Sequence, residues 1–246
     1  MTDTRYGKML YNKNDIIIGK SLELYGEWYQ SEMELMKPFI SPGSTCIDIG
    51  AHIGAHTLFF AQAVGPKGTV IAFEPQLAMF QLLCANVALN DHLNVLTINT
   101  ALFNKSCTEL LPKLNYRKKG NFGAVGFVAS GGYPVKVKAL DNYAFPAVNL
   151  IKIDVEGVEK FVIEGARATI QRHQPLIYAE NHNKVLEKEL IALLKSLDYV
   201  VYQHLASAFN PHNFKKNARN IHADFQESSI FCVPKSRNLA LDLKTL

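Results

Sequence analysis

One stretch of the chain combines an apolar run with an acidic residue and two glycines. Residues 45–49 are mostly apolar but include Asp48, and Gly50 and Gly54 follow them. This pattern is typical of a buried parallel strand that turns sharply into a helix, because glycine lets the backbone bend tightly or approach a ligand. In open α/β sheets, ligands bind at the carboxyl ends of the strands. Residues 44–57 therefore predict a ligand site, with a strand–helix turn that binds nothing as the alternative.

The spacing of the two glycines narrows the type of ligand. A dinucleotide site needs a further glycine where the backbone approaches a pyrophosphate, and His52 stands there instead. No Lys-Ser or Lys-Thr pair follows, which excludes a P-loop. The stretch resembles the first motif of class I methyltransferases that use S-adenosylmethionine (SAM), in the Asp-x-Gly-Ala-Asn-x-Gly form of the FkbM family, with His52 in place of the Asn. The resemblance implies that SAM, which carries no phosphate, is bound by Asp48, Gly50, Ala51, His52, Gly54 and Thr57.

A second acidic residue ends the next apolar stretch. Residues 69–73 predict a buried strand, Glu74 follows it, and Pro75 begins a helix. A carboxylate at this place can accept hydrogen bonds from both hydroxyls of a ribose. A charge that stabilises the start of the helix is the alternative. The resemblance adds to the cofactor site Pro75, Ala101 and Leu102 against the adenine, and Glu32 with Tyr29 at the amino-acid end of SAM. For Ala101 and Leu102, plain core packing is the alternative.

Two further strand ends carry groups that could move a proton. Asp154 and Glu156 follow the apolar residues 150–153 in a Lys-Ile-Asp-Val-Glu-Gly stretch that resembles an FkbM motif, and Glu180 and His182 end residues 175–182 in the same way. A general base is needed to methylate a hydroxyl, and His182 is our first candidate. Three carboxylates and an imidazole could instead hold Mg²⁺ or Mn²⁺. Helix caps and ion pairs are the purely structural alternative.

The order of the apolar stretches predicts an α/β fold. The resemblance implies a Rossmann-like sheet of seven strands, mostly parallel with an antiparallel last strand, and helices on both faces. Residues 104–140 predict a glycine-rich loop and a β-hairpin before strand 4, with a disordered insertion as the alternative for residues 115–132. We expect one domain over residues 1–246, with an N-terminal helical segment at about 1–43 in which residues 16–18 form an edge strand. Residues 206–226 are expected to shape the acceptor site together with the hairpin.

Composition limits the classes of function. The chain is 48% hydrophobic and 20% charged, and its formal net charge of +4 is too small to indicate nucleic acid. The basic run at residues 117–119 is interpreted as solvated loop charge. The four cysteines form no Cys-x-x-Cys pair, which favours a reducing, cytoplasmic setting. No apolar run approaches the ~20 residues of a membrane span.

These observations lead to a function hypothesis with two alternatives. The resemblance implies a SAM-dependent O-methyltransferase that acts on a hydroxyl of a sugar, glycolipid or polyketide-like metabolite. A binding module that keeps the SAM or nucleotide pocket without turnover is the first alternative, and a nucleic-acid methyltransferase is the second. The sequence names neither the acceptor nor the oligomeric state.

Overall fold

Strands and helices alternate along most of the chain. The computed structural model describes residues 1–181, 183, 185–223 and 225–246. Its strands are β1 (Thr2–Thr4), β2 (Gly7–Met9), β3 (Thr45–Ile49), β4 (Thr69–Phe73), β5 (Val95–Ile98), β6 (Ala101–Leu102), β7 (Cys107–Pro112), β8 (Gly132–Lys138), β9 (Leu150–Ile153), β10 (Leu176–Glu180), β11 (Tyr199–Ser207), β12 (Gln226–Pro234) and β13 (Lys244–Thr245). Its α-helices are α1 (Ile18–Tyr25), α2 (Gln30–Met36), α3 (Ala55–Val64), α4 (Leu77–Leu89), α5 (Glu159–Glu164), α6 (Arg167–His173) and α7 (Glu187–Ser196).

The main sheet has the order β13-β11-β12-β10-β9-β3-β4-β5. Strands β5, β4, β3, β9 and β10 are parallel neighbours, whereas β12 runs antiparallel to both β10 and β11. The predicted Rossmann-like sheet with an antiparallel last strand is therefore confirmed, and the short β13 extends it at one edge. The parallel strands bring their carboxyl ends to one side of the molecule.

Helices cover both faces of this sheet, as predicted. Successive strand residues point to opposite faces. Ile47 and Ile49 pack in a core cluster that includes residues of α5, α6 and α7. Cys46 packs on the other face, against Met33 of α2 and Phe59 of α3. Asp48 and Lys152 are paired in register on β3 and β9, and both share the face of Cys46.

The N-terminal segment differs from the prediction. Residues 16–18 do not form an edge strand, because α1 begins at Ile18 and the hairpin of β1 and β2 precedes it. The buried side chain of Asp15 accepts the backbone N–H of Ile17 at 3.0 Å and so marks the start of the helix. After Glu27, α2 spans Gln30–Met36 and continues into a 3₁₀ turn at Lys37–Phe39.

The predicted hairpin before strand 4 is also confirmed. Strands β7 and β8 pair antiparallel, and β6 pairs with β8 in parallel, so that the insertion forms a separate three-stranded sheet. The loop between β7 and β8 returns to the main body, where Phe122 is buried and its carbonyl accepts the side-chain N–H of Gln76 at 2.9 Å.

No helix in the described ranges is long and apolar enough to cross a membrane.

Candidate active site

A cavity of about 870 Å³ opens at the carboxyl ends of the parallel strands. Its walls come from β3, β4, β9, β10 and β12, from the loop between β7 and β8, and from the segment before α2. The sequence-predicted residues that line it are Gly50, His52, Glu74, Pro75, Ala101, Leu102, Tyr29, Asp154, Glu156 and Glu180. The volume lies within the range of roughly 300–1,000 Å³ that is common for small-molecule sites.

The turn after β3 brings backbone to the cavity wall. Gly50 and Gly54 have φ angles of 78° and 94°, and His52 between them has a φ of 49°. A Cβ added to Gly50 would lie 1.7 Å from the carbonyl oxygen of Asp154, so this position requires glycine. The close approach sets β3 against the end of β9 and exposes the main chain of the turn to a ligand.

Glu74 is fixed by backbone donors on both carboxylate oxygens. The N–H of His52 donates to Oε2 at 2.8 Å, and the N–H of Gln76 donates to Oε1 at 2.7 Å. Each oxygen keeps a second lone pair. Burial raises the pKa of Glu74 to about 7, although the two backbone N–H groups favour the ionised form. Burial likewise lowers the pKa of His52 to about 4, so its ring is neutral.

A buried polar row lies directly behind the strand ends. The Thr57 hydroxyl donates to Asp48 Oδ2 at 2.6 Å, and the Lys152 ammonium lies 3.7 Å from Asp48 Oδ1 and 2.9 Å from Asp154 Oδ2. The side chain of Lys152 is 3% exposed and that of Asp48 is fully buried. The row therefore joins β3 and β9 through one cation held between two carboxylates.

Lys152 and Asp154 shift the pKa of each other. Burial by itself would lower the pKa of Lys152, but Asp154 and Asp48 outweigh burial and raise the pKa above its usual value. Burial would raise the pKa of Asp154, but Lys152 outweighs it and holds that pKa below its ordinary range. Both groups are consequently charged at neutral pH.

Three carboxyl groups meet where β9 and β10 end. One oxygen each from Asp154, Glu156 and Glu180 can be chosen so that all lie within 4.8 Å of one another. Burial and the neighbouring Asp154 raise the pKa of Glu156 to about 8, and the same two causes raise the pKa of Glu180 well above its usual value. Like charges at this distance cannot all be ionised. At neutral pH, Asp154 is therefore ionised and Glu156 is mostly protonated, and the raised pKa of Glu180 favours its protonated form.

Two further cavity residues complete this cluster, and the sequence analysis missed one of them. Glu227 at the start of β12 lines the cavity, because β12 is antiparallel and begins at the edge where its neighbours end. Burial and Glu227 raise the pKa of Tyr29, which lines the same cavity. The signal that could have identified Glu227 is an acidic residue at the first positions of the predicted antiparallel strand.

Several predicted site residues lie outside the cavity wall. Asp48 and Thr57 belong to the buried polar row, and Ala51 and Gly54 shape the turn beneath the wall. Glu32 is buried and its Oε2 lies 3.0 Å from His56 Nε2, so the carboxylate predicted for the amino-acid end of SAM is directed to a helix–helix contact. His182 lies outside the described residues.

The comparisons with known proteins agree with this geometry. A family model described as the methyltransferase FkbM domain matches residues 48–201. No curated protein matches the chain. Similar solved structures include a putative rRNA methylase from Clostridium thermocellum (14% identity, TM-score 0.53, 85% of this chain and 95% of that chain). They also include an FkbM methyltransferase from Methylobacillus flagellatus (15% identity, TM-score 0.50, 86% of this chain and 57% of that chain). A third is a SAM-dependent O-methyltransferase from Thermotoga maritima (14% identity, TM-score 0.51, 83% of this chain and 64% of that chain).

The family model thus defines a SAM-dependent methyltransferase, and the fold of the similar solved structures agrees with it. Within that class, the chain belongs to the FkbM methyltransferase family. At 14–15% identity the solved structures support the fold alone, and the chain covers under two thirds of the length of the second and third of them.

The residues present fit SAM. The glycine turn offers backbone at the cavity wall, and Glu74 presents a carboxylate with free lone pairs beside it. Ala101 and Leu102 supply an apolar surface on the same side.

Proposed function

We propose that this methyltransferase transfers a methyl group from SAM to a hydroxyl group of a small molecule or glycan. The observation that carries the proposal is the carboxyl cluster of Asp154, Glu156 and Glu180, which lies in the same cavity as the glycine turn and Glu74. We call the wall of Gly50, His52, Glu74, Ala101 and Leu102 the cofactor half. We call the wall of Asp154, Glu156, Glu180, Glu227 and Tyr29 the acceptor half.

In the cofactor half, Glu74 would accept the ribose hydroxyls, and Ala101 and Leu102 would cover the adenine. These roles are supported by the position of each residue on the cavity wall. Bound SAM supplies a methyl group activated by its sulfonium. The ionised Asp154, at the boundary of the two halves, favours a positive charge beside it.

In the acceptor half, the proton of the acceptor hydroxyl needs a base. A base works best when its pKa lies near the working pH. In the acceptor half Glu156, with a pKa of about 8, comes nearest to this condition: its ionised fraction, small at neutral pH and growing as pH approaches 8, can accept the proton, whereas the low pKa of Asp154 makes it a weak base. Protonated Glu180 can donate a hydrogen bond that orients the acceptor. His182, the first candidate from the sequence, remains a proposed general base alongside Glu156.

Methyl transfer from labelled SAM to a panel of hydroxyl acceptors, with RNA included, tests the proposal. We expect transfer to a polyhydroxylated or polyketide-like acceptor and none to RNA. Glu156→Gln and His182→Ala should separate the two bases, and exposed Glu189 provides the matched control Glu189→Gln. SAM binding without transfer to any acceptor favours a binding module, and calorimetry that detects NAD binding but no SAM binding would contradict the cofactor.

A divalent cation is the second candidate role for the same cluster. Three carboxylate oxygens within 4.8 Å could hold Mg²⁺ or Mn²⁺, which would lower the pKa of the acceptor hydroxyl. Loss of turnover on chelation, restored by either ion, would reassign the carboxylates as ligands. Turnover that survives chelation but not His182→Ala or Glu156→Gln supports the base. If neither treatment changes the rate, neither role is right.

A further inference from the structure

The hairpin insertion carries more positive charge than the chain as a whole. Residues 104–140 contain seven of the 26 Lys and Arg residues and one of the 22 Asp and Glu residues, a formal charge of +6 against +4 for the chain. The remainder of the chain is therefore slightly acidic. All seven basic side chains are exposed: Lys105, Lys113, Arg117, Lys118, Lys119, Lys136 and Lys138.

Few of these charges are neutralised. Lys105 lies 3.3 Å from Glu109, and Lys138 lies over the ring of Tyr143 at 5.4 Å. Within the described ranges, the other five basic residues make no ion pair. A concentration of exposed like charges attracts an anionic partner.

The basic run lies at the mouth of the cavity. Gly120, which directly follows Lys119, donates its N–H to the Asn14 carbonyl at 3.0 Å, and its own carbonyl accepts the N–H of Ile16 at 3.1 Å. The residue after Ile16 and the residue after Gly120, Ile17 and Asn121, both line the cavity. An anionic partner bound by residues 117–119 would therefore face the entrance.

Apolar side chains are exposed at the same entrance. Ile16 is 46% exposed next to Gly120, and Phe225, which lines the cavity, is 56% exposed. Basic and apolar side chains on one rim suit a membrane surface, where cations meet anionic headgroups and apolar groups enter the interface. A single-stranded nucleic acid that follows the basic run would need exposed aromatic rings beside that run to stack its bases. The rings that flank the basic run, Tyr116 and Phe122, instead pack on each other with centroids 5.0 Å apart, and Phe122 is 3% exposed.

We propose that this basic and apolar rim docks on an anionic membrane, and that the acceptor is a lipid-anchored molecule presented there. The choice of acceptor rests on the proposed function, whereas the docking does not. Residues 117–119, Ile16 and Phe225 form the docking rim, and the cavity opens within it.

Co-sedimentation with lipid vesicles tests the docking without any methyl transfer. The probes are vesicles of phosphatidylcholine alone and of phosphatidylcholine mixed with anionic phosphatidylglycerol. The test variant carries Arg117→Gln, Lys118→Gln and Lys119→Gln. The control carries Lys67→Gln, Lys235→Gln and Arg237→Gln, which remove the same charge from exposed residues at the opposite edge of the sheet.

We expect the wild type and the control variant to bind the mixed vesicles, and raised salt to weaken this binding. The test variant should bind about 100-fold more weakly, at roughly fivefold per basic residue. Calorimetry with SAM should give the same affinity for all three proteins, so that a failed cofactor site is distinguished from a failed docking surface. Equal binding to phosphatidylcholine alone, equal loss in both variants, or no vesicle binding by the wild type would overturn the proposal. If the wild type and the control variant bind single-stranded RNA, the test variant does not, and no protein binds vesicles, the partner of the rim is a nucleic acid and the membrane proposal is wrong.

Discussion

In the cofactor half of the cavity, Glu74 accepts one backbone N–H on each carboxylate oxygen, whereas in the acceptor half the carboxyl groups of Asp154, Glu156 and Glu180 face one another. The donors to Glu74 come from residues 52 and 76, in the two turns that follow neighbouring strands. The members of the acceptor half follow β9, end β10 and begin β12, and Tyr29 precedes α2.

This difference illustrates two ways in which a protein can hold carboxyl groups before a ligand binds. Backbone donors fix a carboxylate in one position before any ligand arrives, which suits one constant cofactor. The charges of the opposed carboxyl groups depend on protonation and on Lys152, and a ligand can change their charge state. We therefore expect changes in the cofactor half to act on geometry, apart from the titration of Glu74 near its pKa of about 7, and changes in the acceptor half to act on pH dependence.

The largest effect is expected from Gly50→Ala. The new Cβ would lie 1.7 Å from the Asp154 carbonyl oxygen, so β3 and β9 would have to separate. We expect a loss of more than about 5 kcal/mol in the free energy of unfolding and no SAM binding, measured by urea titration and calorimetry. Gly43→Ala is the matched control, because Gly43 has a φ of 88° but no atom near its added Cβ. It should cost only about 1–2 kcal/mol, and equal losses in both variants would show that the close approach is unimportant.

The second largest loss in the free energy of unfolding is expected from Lys152→Met. It leaves Asp48 and Asp154 without their cation, and an unpaired buried charge costs about 3–5 kcal/mol. Because the pKa of Asp154 is depressed, its contribution to stability is present above the unfolded-state pKa and is lost as pH falls through the folded-state pKa. Urea titrations at neutral and acidic pH should show the wild type approaching the variant as pH falls.

Adding Asp48→Asn to Lys152→Met provides the control for that prediction. The second change removes one of the two stranded charges and should recover part of the lost stability. A double variant that is less stable than Lys152→Met alone would contradict the role of Lys152 as the shared cation.

Glu74→Ala should weaken SAM binding by about 1.5–3 kcal/mol, the cost of a lost charged hydrogen-bonding group. Glu180→Gln is the control from the acceptor half, because it keeps the shape of the side chain and changes a residue at the end of β10. Calorimetry should show a large change in SAM affinity for the first variant and a small one for the second. A larger loss of SAM affinity for Glu180→Gln than for Glu74→Ala would mean that SAM binds in the half assigned here to the acceptor.

Glu156→Gln should have the smallest effect, which depends on pH. The pKa of Glu156 is raised to about 8, so its stabilising contribution is full below the unfolded-state pKa and is lost as pH rises through about 8. The variant lacks this loss and should be more stable than the wild type above pH 8 by about 1–2 kcal/mol, after allowance for partial exposure. Glu189→Gln, on an exposed helix position, should show no such difference in urea titrations across this pH range.

The sequence predicted those parts of the site that depend on local pattern. Apolar runs placed Glu74, Asp154 and Glu180 at strand ends, and parallel pairing then brought them to one edge. Contacts across strands were not predicted, because they depend on register: Lys152 faces Asp48 only through the pairing of β3 and β9.

Two residues outside the parallel strands show the same limit. Glu32 has the residue type expected of a cofactor ligand, but the orientation of α2 directs it to His56. Glu227 lies beyond a long irregular stretch, and its place in the cavity follows only from the antiparallel course of β12. Side-chain type is local information, whereas the direction of a helix face and the neighbour of a strand are set by tertiary packing.

The position of β12 also has a consequence for the order of folding. β12 lies between β10 and β11, so β11, although earlier in the chain, joins the main sheet only through β12. During synthesis, residues 199–207 must therefore wait for residues 226–234 before their backbone groups can pair with the rest of the sheet. Such delayed, long-range pairing is slow and leaves strand edges open meanwhile. We infer that strands β10, β12 and β11 assemble after strands β3, β4 and β9. The growing chain therefore completes the acceptor half of the cavity last.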